Sequence, residues 1–224
     1  TDFQDLKHAV TVLEQLTGPA APMQRLLETV SENTSLSSLP VVRTGQEQPN
    51  GVHPAASMPE SPQTVSIRRA FAGLNSMLEA KGEKPSYYDE TLTAITAVHD
   101  YARLVHDSPD RGRAALNAVL QRFSMTGHDP IGTLQRVASG LPEPFNQQVK
   151  KVADQTTRVL NIEALRELER RWDADVYSFF QQRLAGRYPF AAAAVDASLD
   201  DFEAFFGPKG RLQQFQDQYL TVFL

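Results

Sequence analysis

"FNQQVKKVADQTTRVLNIEALRELERRWDADVYSFFQQRL", residues 145–184, is the stretch that sets the fold class. Its apolar side chains fall at Phe145, Val149, Val152 and Val159, then at Leu165, Leu168, Trp172, Val176, Phe179, Phe180 and Leu184. Steps of three and four residues place one stripe of an α-helix against a core. Asn161 suits an N-cap, so the stretch reads either as one helix or as two collinear ones. Unbroken from about 144 to 185, a helix rising about 1.5 Å per residue would span roughly 60 Å.

Downstream, Gly186 and Pro189 end this helix, and Arg187, Tyr188, Pro189 and Phe190 form an aromatic turn back toward the core. Ser198 with Asp201 three residues on resembles a capping box, opening a helix that carries Leu199, Phe202 and Phe206. "GPKGR", residues 207–211, then forms a corner. Gly207 ends one helix, Pro208 opens the next and Gly210 allows close packing, with the phenylalanines turned inward. Leu212, Phe215, Tyr219 and Phe223 form the last stripe.

Upstream the same period recurs. Phe3, Leu6, Val10, Leu13 and Leu16 mark a first helix, and Met23, Leu26, Leu27 and Val30 a second. Residues 31–63 are rich in Ser, Pro, Gly and Asn and read as a long connection, with a brief extended piece at Val41–Val42. Ile67, Phe71, Leu74 and Leu78 follow, then Tyr88, Leu92, Ile95, Ala102 and Val105. Ser108 before Pro109 suits the cap of a helix whose face is Leu116, Val119, Leu120 and Phe123. Asp129, Pro130 and Gly140 bracket a short helix. No stretch sustains the alternation of a strand. The expectation is an all-α fold, an elongated bundle of about eight to ten helices. We read one helical domain over 1–224, with sub-bundles 1–126 and 127–224.

Hydrophobic residues make up 41% of the 224, enough for a sizeable core. The net charge of −5 argues against a nucleic-acid binder, which needs a clustered cationic footprint. With no cysteine there is no disulfide and no thiolate ligand. No run approaches the roughly 20 apolar residues of a membrane span. The chain starts at Thr1 rather than Met and closes on "YLTVFL", which reads as a piece of a larger protein.

The catalytic signatures are missing: no Gly-x-Ser-x-Gly, no Walker A sequence and no Rossmann glycine fingerprint. Of five histidines (8, 53, 99, 106 and 128), His99 and His106 are seven apart, about 10 Å along a helix and too far to share an ion. No cofactor or metal is expected. The carboxylates Asp173, Asp175, Asp200, Asp201 and Glu203 read as solvated helix faces. Lys209 and Arg211 in the Gly-x-x-Gly turn are the candidate anion contacts, because a helix N-terminus beside two cations suits a phosphate. The competing reading makes the turn a packing corner.

The series from Trp172 through "RYPF", the acidic helix with Phe202, "FFGP" at 205–208 and Gly210, to Tyr219 and Leu220, resembles the C-terminal part of the IcmF/TssM proteins. These are inner-membrane core components of the bacterial type VI secretion system. Where that family's turn is often Gly-Pro-Gly-Gly, Lys209 stands in a glycine's place. The resemblance assigns Trp172, Arg187, Tyr188, Pro189, Phe190, Phe205, Phe206, Gly207, Pro208 and Gly210 a structural role. It implies the periplasmic portion of an inner-membrane protein, a scaffold rather than an enzyme. It also implies homo-oligomers and assembly with a TssL-type inner-membrane protein and a TssJ-type outer-membrane lipoprotein. The lipoprotein contact would lie mainly in a downstream domain absent here.

Overall fold

The computed structural model describes residues 2–18, 21–34, 62–80, 85–123 and 129–221. Seven helices in it reach ten residues or more: α1 (Leu6–Thr17), α2 (Pro22–Thr34), α3 (Pro62–Asn75), α4 (Tyr87–His106), α5 (Arg111–Phe123), α6 (Pro130–Ser139) and α7 (Phe145–Arg171). Three shorter ones follow, α8 (Ser178–Arg183), α9 (Leu199–Phe206) and α10 (Arg211–Phe215). A π-helical turn, Trp172–Tyr177, joins α7 to α8, and a second, Gln216–Leu220, prolongs α10. The all-α expectation holds among the described residues, where Tyr188 and Asp196 form only an isolated bridge. The full-sized helices number fewer than the eight to ten expected. The corners at Gly186 and at 207–210 cut the C-terminal quarter into short pieces.

α7 is the spine. It packs on α5, α6 and α1, while α4 packs on α1 and α6. Leu13, Val98, Leu116, Ile131, Leu134 and Leu160 are fully buried between them. Burying a Leu or Ile side chain stabilises by roughly 1.5–3 kcal/mol, so this layer of six holds the body together. Capping fixes the helix starts. Asp5 Oδ1 accepts the His8 N–H at 2.7 Å, and Ser86 Oγ accepts the Asp89 N–H at 3.1 Å. Asp89 and Glu90 in the first turn of α4, with Arg103 and His106 in its last, complement the helix dipole. Arg122 of α5 meets Asp129 at 3.0 Å and Thr157 of α7 at 3.2 Å, tying three elements at one point.

Four sequence expectations are corrected. Residues 31–34 are the last turn of α2, not loop, and Thr34 Oγ1 bonds back to the Val30 carbonyl at 2.7 Å. Asn161 caps nothing. The helix runs through it because Val159, Leu160 and Ala164 bury on both sides of the point. The cap of α5 is Asp110, whose Oδ1 accepts the Arg113 N–H at 3.0 Å; Ser108 Oγ donates to the Asp110 carbonyl instead. Pro208 does not open a helix, since α10 begins at Arg211 with Gly210 before it. Asp129, Pro130 and Gly140 bracket α6 as read, although the Asp129 side chain makes no capping bond. Residues 35–61, with Val41–Val42 and His53, and also His128 lie outside the described residues.

Candidate functional site

The spine runs on from Phe145 through the π turn to Arg183, roughly 60 Å at the α-helical rise. Its far end carries the residues singled out in sequence. Gly186, at φ 71°, adopts the left-handed conformation that lets the chain leave the helix. The Leu184 and Ala185 N–H groups both donate to the Phe180 carbonyl, at 2.9 and 2.8 Å. The aromatic turn then folds back. Tyr188 accepts the Ala197 N–H at 2.9 Å, and the Tyr188–Pro189 peptide is cis. Phe190 sits edge-on to Phe180, ring centroids 5.4 Å apart.

α9 starts as the capping box predicts. Ser198 Oγ accepts the Asp201 N–H at 3.1 Å and donates to Asp201 Oδ2 at 2.8 Å. Only part of its aromatic set turns inward. Phe205 is buried against Phe179 and Phe180, with centroids 6.1 and 5.8 Å away. Phe202 and Phe206 are 38% and 44% exposed and stack with Phe190 at 6.2 and 5.9 Å. The expectation that all the phenylalanines face inward therefore fails. A helix of eight residues on one edge of the body has a single covered side.

The corner 207–210 is a tight turn closed by the Gly210 N–H on the Gly207 carbonyl at 2.7 Å. Pro208 and Lys209 are its central residues, and Lys209 has φ 65°. A turn of this kind asks for glycine at that position. A Cβ on Gly210 would lie 2.7 Å from the Phe205 carbonyl oxygen, which is the close packing expected of it. Of the two cations proposed for an anion, Lys209 is exposed. Arg211 is engaged: Nη1 donates to the Asp175 carbonyl at 2.9 Å, and the guanidinium lies 4.5 Å over the Phe179 ring. Its charge serves to seat α10 on the π turn of the spine.

A polar knot that sequence reasoning missed locks the same region. Glu167 is buried in α7. Arg170 Nε and Nη2 donate to its carboxylate at 2.8 and 2.7 Å, and Arg171 Nε donates at 2.7 Å. The Arg170 guanidinium, joined by that of Arg171 and opposed by burial, holds the Glu167 carboxyl down at about 2. Arg171 Nη1 also donates to the Tyr219 hydroxyl and lies 5.1 Å over its ring. Phe215 sits between Trp172 and Tyr219, at 5.3 and 5.1 Å. A Cβ on Gly112 would meet Glu167 Cβ at 3.0 Å, so α5 also presses on this point. The signal was present in "ELERR", where Glu167 precedes arginines by three and four residues on one helix face.

His99 and His106 each turn Nδ1 to the aspartate that follows, at 3.2 and 2.9 Å. No group of three or more metal-ligating side chains comes together among the described residues. What the far end offers chemically is aromatic area, carboxylates and the exposed cations Arg183 and Lys209.

Residues 163–224, which hold the polar knot, the aromatic turn, α9 and the glycine corner, match the family described as the type VI secretion protein IcmF helical domain. Over that C-terminal segment the chain is similar to the IcmF helical domain. It is similar to the type VI secretion system component TssM1 of Pseudomonas aeruginosa, 28% identical over 246 aligned positions that cover 98% of this chain. The chain spans about a fifth of that relative's length, 21%. It is also similar in fold to a solved chain titled type VI secretion system membrane core complex. That match has a TM-score of 0.72 and 18% identity, over 99% of this chain and 43% of the other. The matched segment is the far end of the spine with everything docked on it. No described helix of this chain is long and apolar enough to cross a membrane.

Proposed function

We propose that this chain is a structural assembly domain of a type VI secretion membrane complex, a non-catalytic periplasmic scaffold linking inner-membrane and outer-membrane components. The observation that carries the reading is the spine. One helical rod of roughly 60 Å has its last third fixed by the Glu167 knot and the α10 aromatics, which gives stiff reach between two partners. Core residues from Leu6 to Tyr219 form one buried cluster, which supports treating 1–224 as a single helical domain. The proposed partners are a TssL-type inner-membrane protein, a TssJ-type outer-membrane lipoprotein acting mainly through a further domain, and other copies of the same protein.

The test removes the segment corresponding to 1–224 from the full-length protein. Co-purification of the complex and secretion of its substrate are then measured. Loss of assembly is the expected result. Unchanged assembly and secretion would falsify the scaffold reading.

A further inference from the structure

The geometry points to a binding site for a fatty acid in the groove between α1, α2 and α7, with the acyl chain in the cavity and the carboxylate at Lys151. α2 packs closely on α3 but not on α1 or α7, so a space remains between the three helices. That space is a cavity of about 350 Å³, open to solvent on one side and within the size range of small-molecule sites. Its walls are apolar. Val149 and Val152 of α7, Leu16 of α1, and Met23 and Leu26 of α2 line it, together with Ile95 of α4. Val149 and Ile95 are buried, whereas Leu26 is 51% exposed, a large apolar side chain on the wall of an open groove. Along α7 the lining runs from Phe145 to Gln155, about 15 Å at the helical rise.

The rim of the groove on α7 is basic. Lys151 and Gln155 line both the cavity and an adjoining shelf that carries Lys150 and Arg158. Neither Lys150 nor Arg158 forms an ion pair among the described residues. The carboxylate of that shelf, Asp154, accepts from Gln135 Nε2 at 3.0 Å.

An anion already sits at this rim. Asp2 Oδ1 meets Lys151 Nζ at 2.9 Å and accepts from Gln155 Nε2, while Gln155 Oε1 accepts the Phe3 N–H at 3.0 Å. Phe3 is buried beside it and lines the same cavity. The chain's own Asp2 and Phe3 therefore display the chemistry that the groove accepts, a carboxylate on Lys151 next to an apolar group in the cavity. Asp2 uses one of the three ammonium donors of Lys151, which leaves two for a second carboxylate. A neutral apolar ligand would leave the basic rim unused, and a polar anion would leave the walls uncovered. A single-chain carboxylate matches both.

The experiment is calorimetric titration of the whole 224-residue chain with decanoate and with dodecanoate, each below its micelle concentration. The expected result is saturable one-to-one binding. Dodecanoate should bind about tenfold more tightly than decanoate, because each buried methylene contributes roughly fourfold. Lys151→Ala should weaken decanoate about threefold and leave decanol unchanged. Val152→Phe fills the cavity and Leu26→Glu puts a charge on its wall, and each should weaken dodecanoate about tenfold or more. Circular dichroism should show native helix content in the variants. Leu26 is half-exposed, so its replacement keeps the test open if Val152→Phe does not fold. Absence of saturable dodecanoate binding up to millimolar concentration overturns the proposal. So does an affinity that ignores chain length, one that survives both wall variants, or an equal effect of Lys151→Ala on decanoate and decanol. The assay uses this chain alone, so its failure is distinct from failure of the scaffold reading, which is tested by deletion and secretion.

Discussion

Replacing Glu167 by glutamine keeps the shape of the knot and removes its charge. Three hydrogen bonds from arginine then lose their ionic acceptor, and an amide N–H is turned toward a guanidinium. The contributions are unequal. The Arg170 side chain is 63% exposed, so solvent screens its two bonds and they add little. The Arg171 side chain is 16% exposed, and replacing its buried ionic acceptor with a neutral amide costs about 2 kcal/mol. The expected loss is about 2 kcal/mol, a fall in melting midpoint of roughly 4–8 °C for a chain of this length. The pH dependence has a definite sign. The carboxyl is held below its ordinary 4.5, at about 2. Its contribution is therefore complete above 4.5 and is lost as the pH falls toward 2. Urea titrations from pH 7 down to pH 2 should show the wild-type advantage over Glu167→Gln shrinking across that window. A difference at pH 7 under about 0.5 kcal/mol, or one that does not change with acid, refutes the assignment of Glu167 as the lock on the far end.

Three further outcomes follow from the local geometry. Lys209→Gly should raise stability by about 0.5–1 kcal/mol in thermal melts, because it relieves a left-handed lysine and gives back part of the gain as chain entropy. Gly210→Ala should cost about 2 kcal/mol or more in the same measurement, since a Cβ there collides with the Phe205 and Gly207 carbonyl oxygens. Asp110→Ala should cost about 1 kcal/mol by denaturant titration while Ser108→Ala stays within about 0.5, and equal effects would contradict the cap assignment.

Much of the fold was legible because helical periodicity is local. The stripe from Phe145 to Leu184, the box at Ser198 and Asp201, and Gly186 past the helix end all report on neighbours within four residues. The errors came where local signals compete. Asn161 is a good cap residue in isolation, but Val159, Leu160 and Ala164 bury together only if the helix continues. Ser108 and Asp110 are both competent caps, and the start of α5 decides between them. The far end was legible as a family signature. The inward set of phenylalanines was not, because period alone places Phe202 and Phe206 on a stripe without saying whether anything lies opposite.

The sequence by itself determined an all-helical chain, the long spine and the corners that end it, since glycine, proline and capping side chains act over a single turn. Only the tertiary structure decided which apolar face is covered, that Arg211 is spent on Asp175 and Phe179, and that Glu167 and Arg171 join Tyr219 across 48 residues of chain. Burial and pairing depend on what arrives from a distant part of the chain, and no local spacing encodes that arrival.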